Sequence, residues 1–170
     1  MKKILFVCTG NSCRSVMAEG ILRRLMEKKG RADVQVFSAG VSALGGQGAS
    51  LETIEVMRQE GIDVSGHRSQ PVTPDVIRRA DLILCMEDFH RDAVLSLAPD
   101  AVSKTHLLKT FQTRHPVMDP NIADPMGRPK EVYESCFMTI QEAVERLARW
   151  LGKESQEAQA GDEREESDPG

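Results

Sequence analysis

No stretch of this sequence is apolar for long enough to cross a membrane. A membrane-spanning helix needs about 20 predominantly apolar residues, whereas the apolar run that follows Lys3 ends at Thr9 after five residues. A run of five is also shorter than the apolar segment of a secretory signal peptide, which has about 7–15 residues. We therefore expect a cytoplasmic protein with no membrane partner.

A surplus of basic residues is missing too, and aromatic residues are scarce. The formal charge at pH 7 is −4, and aromatic residues make up 4% of the chain. Residues 153–170 alone carry seven acidic and two basic side chains, which leaves the rest of the chain nearly neutral. Proteins that bind nucleic acid usually present a basic stripe, often with aromatic side chains that stack on bases. We therefore expect no nucleic-acid partner.

The four cysteines lack the spacings of metal-binding and disulfide-rich domains. There is no Cys-x-x-Cys pair and no cysteine–histidine spacing of the zinc type. Structural disulfides are rare in cytoplasmic proteins, so we expect no metal, no cofactor and no disulfide framework. Two possible roles remain for the cysteines, which are thiol chemistry and burial in the core. The four residues are Cys8, Cys13, Cys85 and Cys136.

Strand-like and helix-like segments alternate along the chain. Segments rich in Val, Ile, Leu and Phe predict four strands, at residues 3–8, 34–40, 80–86 and 104–108. Helical spacing of apolar residues occurs between them and again over residues 130–151. This order predicts an α/β fold with a single open, four-stranded, mostly parallel sheet and helices on both faces.

The composition divides the chain into one domain and a tail. Residues 1–152 contain enough apolar residues for a single packed domain. Residues 153–170 are acidic and contain no large apolar residue, and this composition predicts a disordered tail.

The loop after the first predicted strand contains the residue types of an anion site. In open parallel sheets ligands bind beyond the carboxyl ends of the strands, which is where this loop begins. Gly10 and Asn11 tolerate backbone conformations that most residues avoid. A loop folded in this way can direct successive N–H groups at a phosphate, backed by the positive end of the next helix. The predicted phosphate-binding residues are Thr9, Gly10, Asn11, Ser12, Cys13 and Ser15.

Two residues at the ends of this loop carry the predicted chemistry. Arg14 provides a planar guanidinium that can bind two phosphate oxygens at once. Cys8 is at the base of the loop, where the N–H groups and Arg14 favour the thiolate, the nucleophilic form of cysteine. Ser15 can donate a hydrogen bond to the sulfur and so assist its departure.

The sequence resembles the low-molecular-weight protein tyrosine phosphatases and their bacterial arginine-phosphatase relatives. The segment VCTGNSCRS has the Cys-x5-Arg-Ser signature of this family, and further segments follow in the family's order and spacing. They are FSAG at 37–40, VSGHRSQPVT at 64–73, ADLILCM at 80–86 and ADPMGRPKEVYE at 123–134. The resemblance implies the low-molecular-weight phosphatase fold, phosphorylated protein substrates and release of inorganic phosphate through a phosphocysteine intermediate without a metal.

The resemblance also implies roles for residues outside the loop. Asp124, which precedes a proline, matches the general acid and base of the family. Asp119 also precedes a proline nearby, but it does not match the family position. Asn11, Ser38 and His67 match residues that hydrogen-bond together beneath the loop and hold its shape.

The phosphorylated side chain is left open between two possibilities. Tyrosine-directed members have a large aliphatic residue in place of Ser12 and aromatic residues near Leu44 and Met126. Arginine-directed relatives have Thr in place of Ser12, and the small hydroxyl here favours phosphoarginine narrowly over phosphotyrosine. One family departure is Val16, where proline is usual.

Two further possibilities concern the cysteines. Thioredoxin-linked arsenate reductases share this fold and loop, but they need a cysteine pair in the region of Cys85, where only one is found. Cys13 is near enough in sequence to Cys8 for a reversible protective disulfide, which is a hypothesis.

Overall fold

A computed structural model confirms the predicted sheet and its four parallel strands. The structure describes residues 1–165, and of residues 159–165 the backbone only. The strands lie in the spatial order β2-β1-β3-β4, and all three pairings are parallel. Their bounds are Lys2–Cys8 for β1, Val34–Gly40 for β2, Leu82–Cys85 for β3 and Thr105–Leu107 for β4.

In the part of the chain that the structure describes, five α-helices connect and follow the strands. Four lie between predicted strands, where helical spacing was expected, and the fifth begins at the predicted residue 130 but continues past residue 151. The bounds are Arg14–Lys28 for α1, Leu51–Gln59 for α2, Pro74–Arg79 for α3, Asp88–Leu97 for α4 and Lys130–Glu165 for α5. A short 3₁₀ helix, Pro99–Lys104, was not expected from the sequence.

The sheet has a hydrophobic core on each face, as expected for a sheet between two helical layers. Side chains of a strand point alternately to its two faces. Ile4 and Phe6 accordingly belong to the core beneath α1 and α5, whereas Leu5 and Val7 belong to the core beneath α3 and α4. All four are fully buried, and each such side chain stabilises the fold by about 1.5–3 kcal/mol.

The register of the strands brings three strand ends to one edge of the sheet. Cys8 at the end of β1 is paired with Gly40 at the end of β2. On the other side Val7 is paired with Cys85, the last residue of β3. The segments that leave these three strands therefore start side by side, next to the N-terminus of α1.

Helix α5 continues well beyond the predicted domain boundary. The sequence analysis placed its end at residue 151 and expected disorder from residue 153, but the helix extends to Glu165. Glu, Gln, Ala and Lys dominate this segment and favour helix, and Glu154 forms an ion pair of 3.0 Å with Lys2 Nζ. Residues 166–170 of the predicted tail lie outside the described residues. None of the described helices combines the length and the apolar character that a membrane span requires.

Candidate active site

The segment between β1 and α1 forms a tight loop at the carboxyl edge of the sheet. Cys8 ends β1, and α1 begins at Arg14. Asn11 adopts the left-handed conformation, with φ of 55°, whereas Gly10 does not. Of the two residues that tolerate unusual backbone angles, Asn11 is thus the one that uses the left-handed region. Cys8 and Arg14 are both buried, although Arg14 carries a full charge.

The Asn11 side chain is the centre of a hydrogen-bond network beneath the loop. Its Nδ2 atom donates to Ser15 Oγ at 2.8 Å and to Ser38 Oγ at 2.9 Å. Its Oδ1 atom accepts from the backbone N–H of Gln70 at 3.0 Å. His67 Nε2 lies 2.8 Å from the Asn11 carbonyl oxygen, which can only accept, so this nitrogen donates. The structure thus brings together Asn11, Ser38 and His67, the three predicted supports, and these bonds hold the strained residue in place.

Glu19 belongs to the same network and was not predicted. Its carboxylate accepts a hydrogen bond from Ser38 Oγ and lies 4.0 Å from His67 Nδ1. Because both ring nitrogens of His67 face this network, His67 supports the loop from below. The sequence held one signal: Glu19 follows Ser15 by four residues, and this spacing places both on one face of α1.

The Cys8 sulfur has a hydroxyl partner in the first turn of α1. Cys8 Sγ and Ser15 Oγ are 2.9 Å apart. Ser15 Oγ already accepts from the Asn11 amide nitrogen, which leaves its own proton for the sulfur. Ser15 is therefore placed to donate to the Cys8 sulfur, and its assistance to the departure of the sulfur stays a prediction.

Both terminal nitrogens of the Arg14 guanidinium have partners in the chain. Its Nη1 atom donates to the Ile122 carbonyl oxygen at 2.7 Å and to Glu87 Oε1. Its Nη2 atom donates to Thr9 Oγ1 at 3.3 Å and lies 3.5 Å from Asp124 Oδ2. Since both Nη1 protons are used, binding of a phosphate falls to the edge formed by Nε and Nη2.

Glu87 was missed by the sequence analysis. It is the N-cap residue of α4, directly beyond β3, and its carboxylate compensates the buried charge of Arg14. A buried cation without such a partner is strongly destabilising. The available signal was an acidic residue at the carboxyl edge of the sheet, but the sequence did not reveal its partner.

The two candidate aspartates lie in different surroundings. Asp124 is beside Arg14, as given above, and 42% of its side chain is exposed. Its other oxygen, Oδ1, accepts from the backbone N–H of Met126 at 3.1 Å. Asp119 instead accepts from the backbone N–H of Asn121 at 3.0 Å. The structure therefore places Asp124, and not Asp119, where a proton could be exchanged at a group bound by Arg14.

Gly40 at the end of β2 allows the loop to approach the sheet. A Cβ atom at this position would lie 2.4 Å from Thr9 O and 2.8 Å from Asn11 N. Both contacts involve backbone that cannot rotate away. Gly40 is the last residue of the segment FSAG, but the sequence gave no indication that the loop lies against this glycine.

We expect Gly40→Ala to displace the loop. The extra methyl group should lower the free energy of unfolding by roughly 1–3 kcal/mol and reduce kcat/KM in the same variant. Urea unfolding and steady-state kinetics measure the two effects. Gly66→Ala is the matched control, because a Cβ there meets no atom within 4 Å; equal behaviour of the two variants would contradict the steric argument.

Some exposed apolar side chains lie within a few residues of the site in the chain. Leu44 follows β2 and Met126 lies two residues after Asp124, and both are exposed, at the positions near which tyrosine-directed family members have aromatic residues. Phe89, in the first turn of α4, is half exposed and was not predicted. Its ring packs on that of His90, with centroids 4.0 Å apart.

The other cysteines are buried. Of the two possibilities left open for the cysteines, burial applies to Cys85 and Cys136, which lie in the hydrophobic cores. Burial raises the pKa of each thiol to about 12. Cys13 is buried and donates to Ser50 Oγ at 3.3 Å. The Cys8–Cys13 disulfide stays a prediction.

Among residues 1–158, whose side chains the structure describes, no group of three or more His, Cys, Asp or Glu side chains is arranged to hold a metal ion.

Comparisons with known proteins agree on one family. The family model described as low molecular weight phosphotyrosine protein phosphatase matches residues 3–157. A protein-arginine-phosphatase of Geobacillus stearothermophilus is 40% identical over 89% of this chain and 97% of its own length. A probable low molecular weight protein-tyrosine-phosphatase, EpsP, of Ralstonia nicotianae is 36% identical over 85% of this chain and 92% of its own.

A solved structure extends the similarity to three dimensions. It is a mutant of the YwlE arginine phosphatase with a phosphorylated active-site serine. It is 32% identical to this chain, covers 89% of this chain and 96% of its own, and superposes with a TM-score of 0.82.

Proposed function

The chain belongs to the low molecular weight phosphotyrosine protein phosphatase family, and we propose that it hydrolyses phosphorylated protein side chains through a phosphocysteine formed on Cys8. One observation carries the assignment to these residues. The Cys8 sulfur lies 2.9 Å from the Ser15 hydroxyl, in a loop closed by a buried arginine that is 3.5 Å from Asp124. Nucleophile, phosphate ligand and proton donor thus occupy one site.

The first step transfers the phosphoryl group to sulfur. The loop N–H groups and Arg14 bind the phosphate and spread its charge, which is the main task of a protein in phosphoryl transfer. The Cys8 thiolate attacks phosphorus, an S–P bond forms, and the P–O or P–N bond of the substrate breaks. Asp124 gives its proton to the leaving oxygen or nitrogen.

The second step releases inorganic phosphate. The Asp124 carboxylate takes a proton from a water molecule, whose oxygen attacks phosphorus. The S–P bond breaks, and the sulfur leaves as a thiolate that accepts the Ser15 hydrogen bond. Both steps need only groups of the chain and one water molecule, and the absence of a metal and of a cofactor stays a prediction.

Phosphoarginine is the substrate that the site favours. Ser12 presents a small side chain in the loop. Asp124, which is half exposed, can protonate the leaving guanidine nitrogen as a carboxylic acid, and the carboxylate that results can pair with the guanidinium of the product. The similar protein from Geobacillus stearothermophilus is named for action on phosphoarginine. The side-chain preference thus rests on residue 12 and on the charge of Asp124.

Phosphotyrosine is the second candidate, and Phe89 is the observation that favours it. A half-exposed aromatic ring beside the site can stack on a phenol ring, and EpsP is named as a probable tyrosine phosphatase. The arsenate reductase alternative lacks a partner thiol, since Cys85 is fully buried and burial raises its pKa to about 12. Cytoplasmic placement stays a prediction.

The proposal is tested by phosphate release and by trapping. Purified protein is assayed with phosphoarginine-containing and phosphotyrosine-containing proteins, and we expect the first to give the higher kcat/KM. Cys8→Ser is then incubated with the better substrate. Because the similar YwlE mutant carries a phosphorylated active-site serine, we expect the variant to gain the mass of one phosphoryl group at residue 8. Turnover without Cys8, or phosphate attached elsewhere, would contradict the mechanism.

Residue 12 should control the preference between the two substrates. We expect Ser12→Ile to raise the ratio of kcat/KM for phosphotyrosine over phosphoarginine by about tenfold or more, since an aliphatic wall suits a phenol ring and removes a polar contact. Ser12→Thr keeps the hydroxyl and is the matched control, expected to retain the wild-type ratio. An unchanged ratio in Ser12→Ile would contradict the role of this residue.

A further inference from the structure

A buried histidine lies behind the loop, outside the groups used above. His90 is in the first turn of α4 and is fully buried. Its Nδ1 atom accepts a hydrogen bond of 3.0 Å from the backbone N–H of Glu87. A backbone N–H can only donate, so Nδ1 carries no proton, and the proton of the neutral ring is on Nε2. The fold thereby selects one tautomer.

This tautomer fixes the Thr9 side chain. His90 Nε2 lies 2.8 Å from Thr9 Oγ1 and therefore donates to it. Arg14 Nη2 donates to the same oxygen at 3.3 Å. A threonine hydroxyl has two acceptor sites and one proton. With both acceptor sites occupied, Thr9 can act only as a donor, and its proton points away from His90 and Arg14.

The position of Thr9 indicates where this proton is used. Thr9 directly follows Cys8, and the nitrogen of Arg14 that contacts it is also 3.5 Å from Asp124 Oδ2. The hydroxyl therefore lies on the side of the loop where Asp124 stands. We propose that Thr9 donates its hydroxyl proton to the bound phosphoryl group, and that His90 is a positioning residue that holds the hydroxyl in this orientation. This inference rests on the phosphatase function proposed above.

Electrostatics keep His90 neutral in this role. Burial lowers the pKa of His90 to about 4, the Arg14 cation acts in the same direction, and Asp124 opposes both. Glu87 is the N-cap residue of the helix that contains His90. The backbone N–H of Glu87 faces the His90 ring, whereas the Glu87 carboxylate is directed to Arg14. A charged ring would donate from both nitrogens and would lose the bond from the Glu87 N–H. Near neutral pH, His90 therefore donates to Thr9 in essentially every molecule.

Two pairs of variants separate this role from structural support. Thr9→Val removes the hydroxyl, whereas Thr9→Ser keeps it. His90→Asn keeps an acceptor for the Glu87 N–H but cannot reach Thr9, whereas the longer amide of His90→Gln can donate to it. We expect Thr9→Val and His90→Asn to lower kcat/KM and to weaken competitive inhibition by inorganic phosphate, each by about 10- to 100-fold. Thr9→Ser and His90→Gln should recover most of both values.

Coupling and a spectroscopic signature complete the test. The double variant Thr9→Val/His90→Asn should be no worse than Thr9→Val alone, because His90 acts through Thr9. Nitrogen-15 NMR of the wild-type protein should show the His90 ring neutral at pH 7, with its proton on Nε2. Additive effects, or a proton on Nδ1, would overturn the inference.

Failure of the inference is distinguishable from failure of the function. If wild-type protein releases phosphate in a Cys8-dependent way while Thr9→Val retains its kcat/KM, the function stands and the inference is wrong. If wild-type protein and Cys8→Ser do not differ on any phosphorylated substrate, both are wrong. If His90→Asn does not fold, the comparison of Thr9→Val with Thr9→Ser decides by the same criteria.

Discussion

Replacement of Cys8 by serine is expected to lower kcat by about 10⁴- to 10⁶-fold, the range seen when an enzyme loses its nucleophile. A serine hydroxyl at this position can accept the phosphoryl group, but the resulting phosphoserine has a much poorer leaving group than a thiolate. The Ser15 hydroxyl, 2.9 Å from the sulfur in the native protein, stabilises a departing thiolate and cannot compensate. Single-turnover and steady-state assays of phosphate release measure the loss.

Cys85→Ala is the control for this experiment. Cys85 is buried in the core at the end of β3, and its thiol, with a pKa raised to about 12, stays protonated near neutral pH. We expect this variant to lose some stability and to keep its kcat. Loss of turnover in Cys85→Ala, together with activity in Cys8→Ser, would mean that the nucleophile is Cys85 and that its assignment to Cys8 is wrong. Circular dichroism shows whether each variant is folded.

Asp124→Asn is expected to lower kcat by about 10²- to 10⁴-fold, the usual contribution of a positioned acid or base, with a much smaller change in KM. The amide of asparagine keeps the size of the side chain but can neither protonate the leaving atom nor accept a proton from water. The fall should be largest for phosphoarginine, because its guanidine nitrogen is a far poorer leaving group than a phenolate. Stopped-flow and steady-state kinetics with both substrates measure it.

Asp119→Asn is the matched control for Asp124→Asn. Asp119 also precedes a proline in the same loop, but its oxygen accepts a backbone hydrogen bond from Asn121, a bond that an asparagine oxygen can also accept. We expect nearly unchanged kcat in this variant. A large fall in Asp119→Asn, with Asp124→Asn close to wild type, would mean that the loop moves on substrate binding and that the acid is Asp119.

The parts of the site that could be predicted from the sequence are those whose residues are close together in the chain. Cys8, Asn11, Arg14 and Ser15 are within eight residues, and the conformation of one short loop decides their arrangement. The left-handed preference of asparagine and the start of a helix at Arg14 are local properties, which short-range physics governs. The strands were predictable for a similar reason, since a continuous apolar run reports burial on both faces.

Contacts between distant segments explain what the sequence did not reveal. Glu87 is 73 residues from Arg14 in the chain, and His90 is 81 residues from Thr9. Gly40 looks like any strand-end glycine until the loop is seen lying against it. Each of these residues has an ordinary local sequence, and its role comes from a neighbour that only the packing of β2 and β3 beside β1 provides.

The amino-acid sequence by itself determined the parallel α/β architecture and the loop that joins a thiol to a guanidinium, because periodic burial and short-range backbone preferences are written into consecutive residues. The resemblance of its motifs, in order and spacing, indicated the family. The tertiary structure alone decided which carboxylate neutralises Arg14 and which tautomer His90 adopts. Those outcomes depend on distances between separate strands and helices. Such distances are fixed only when the sheet register and the two cores have formed.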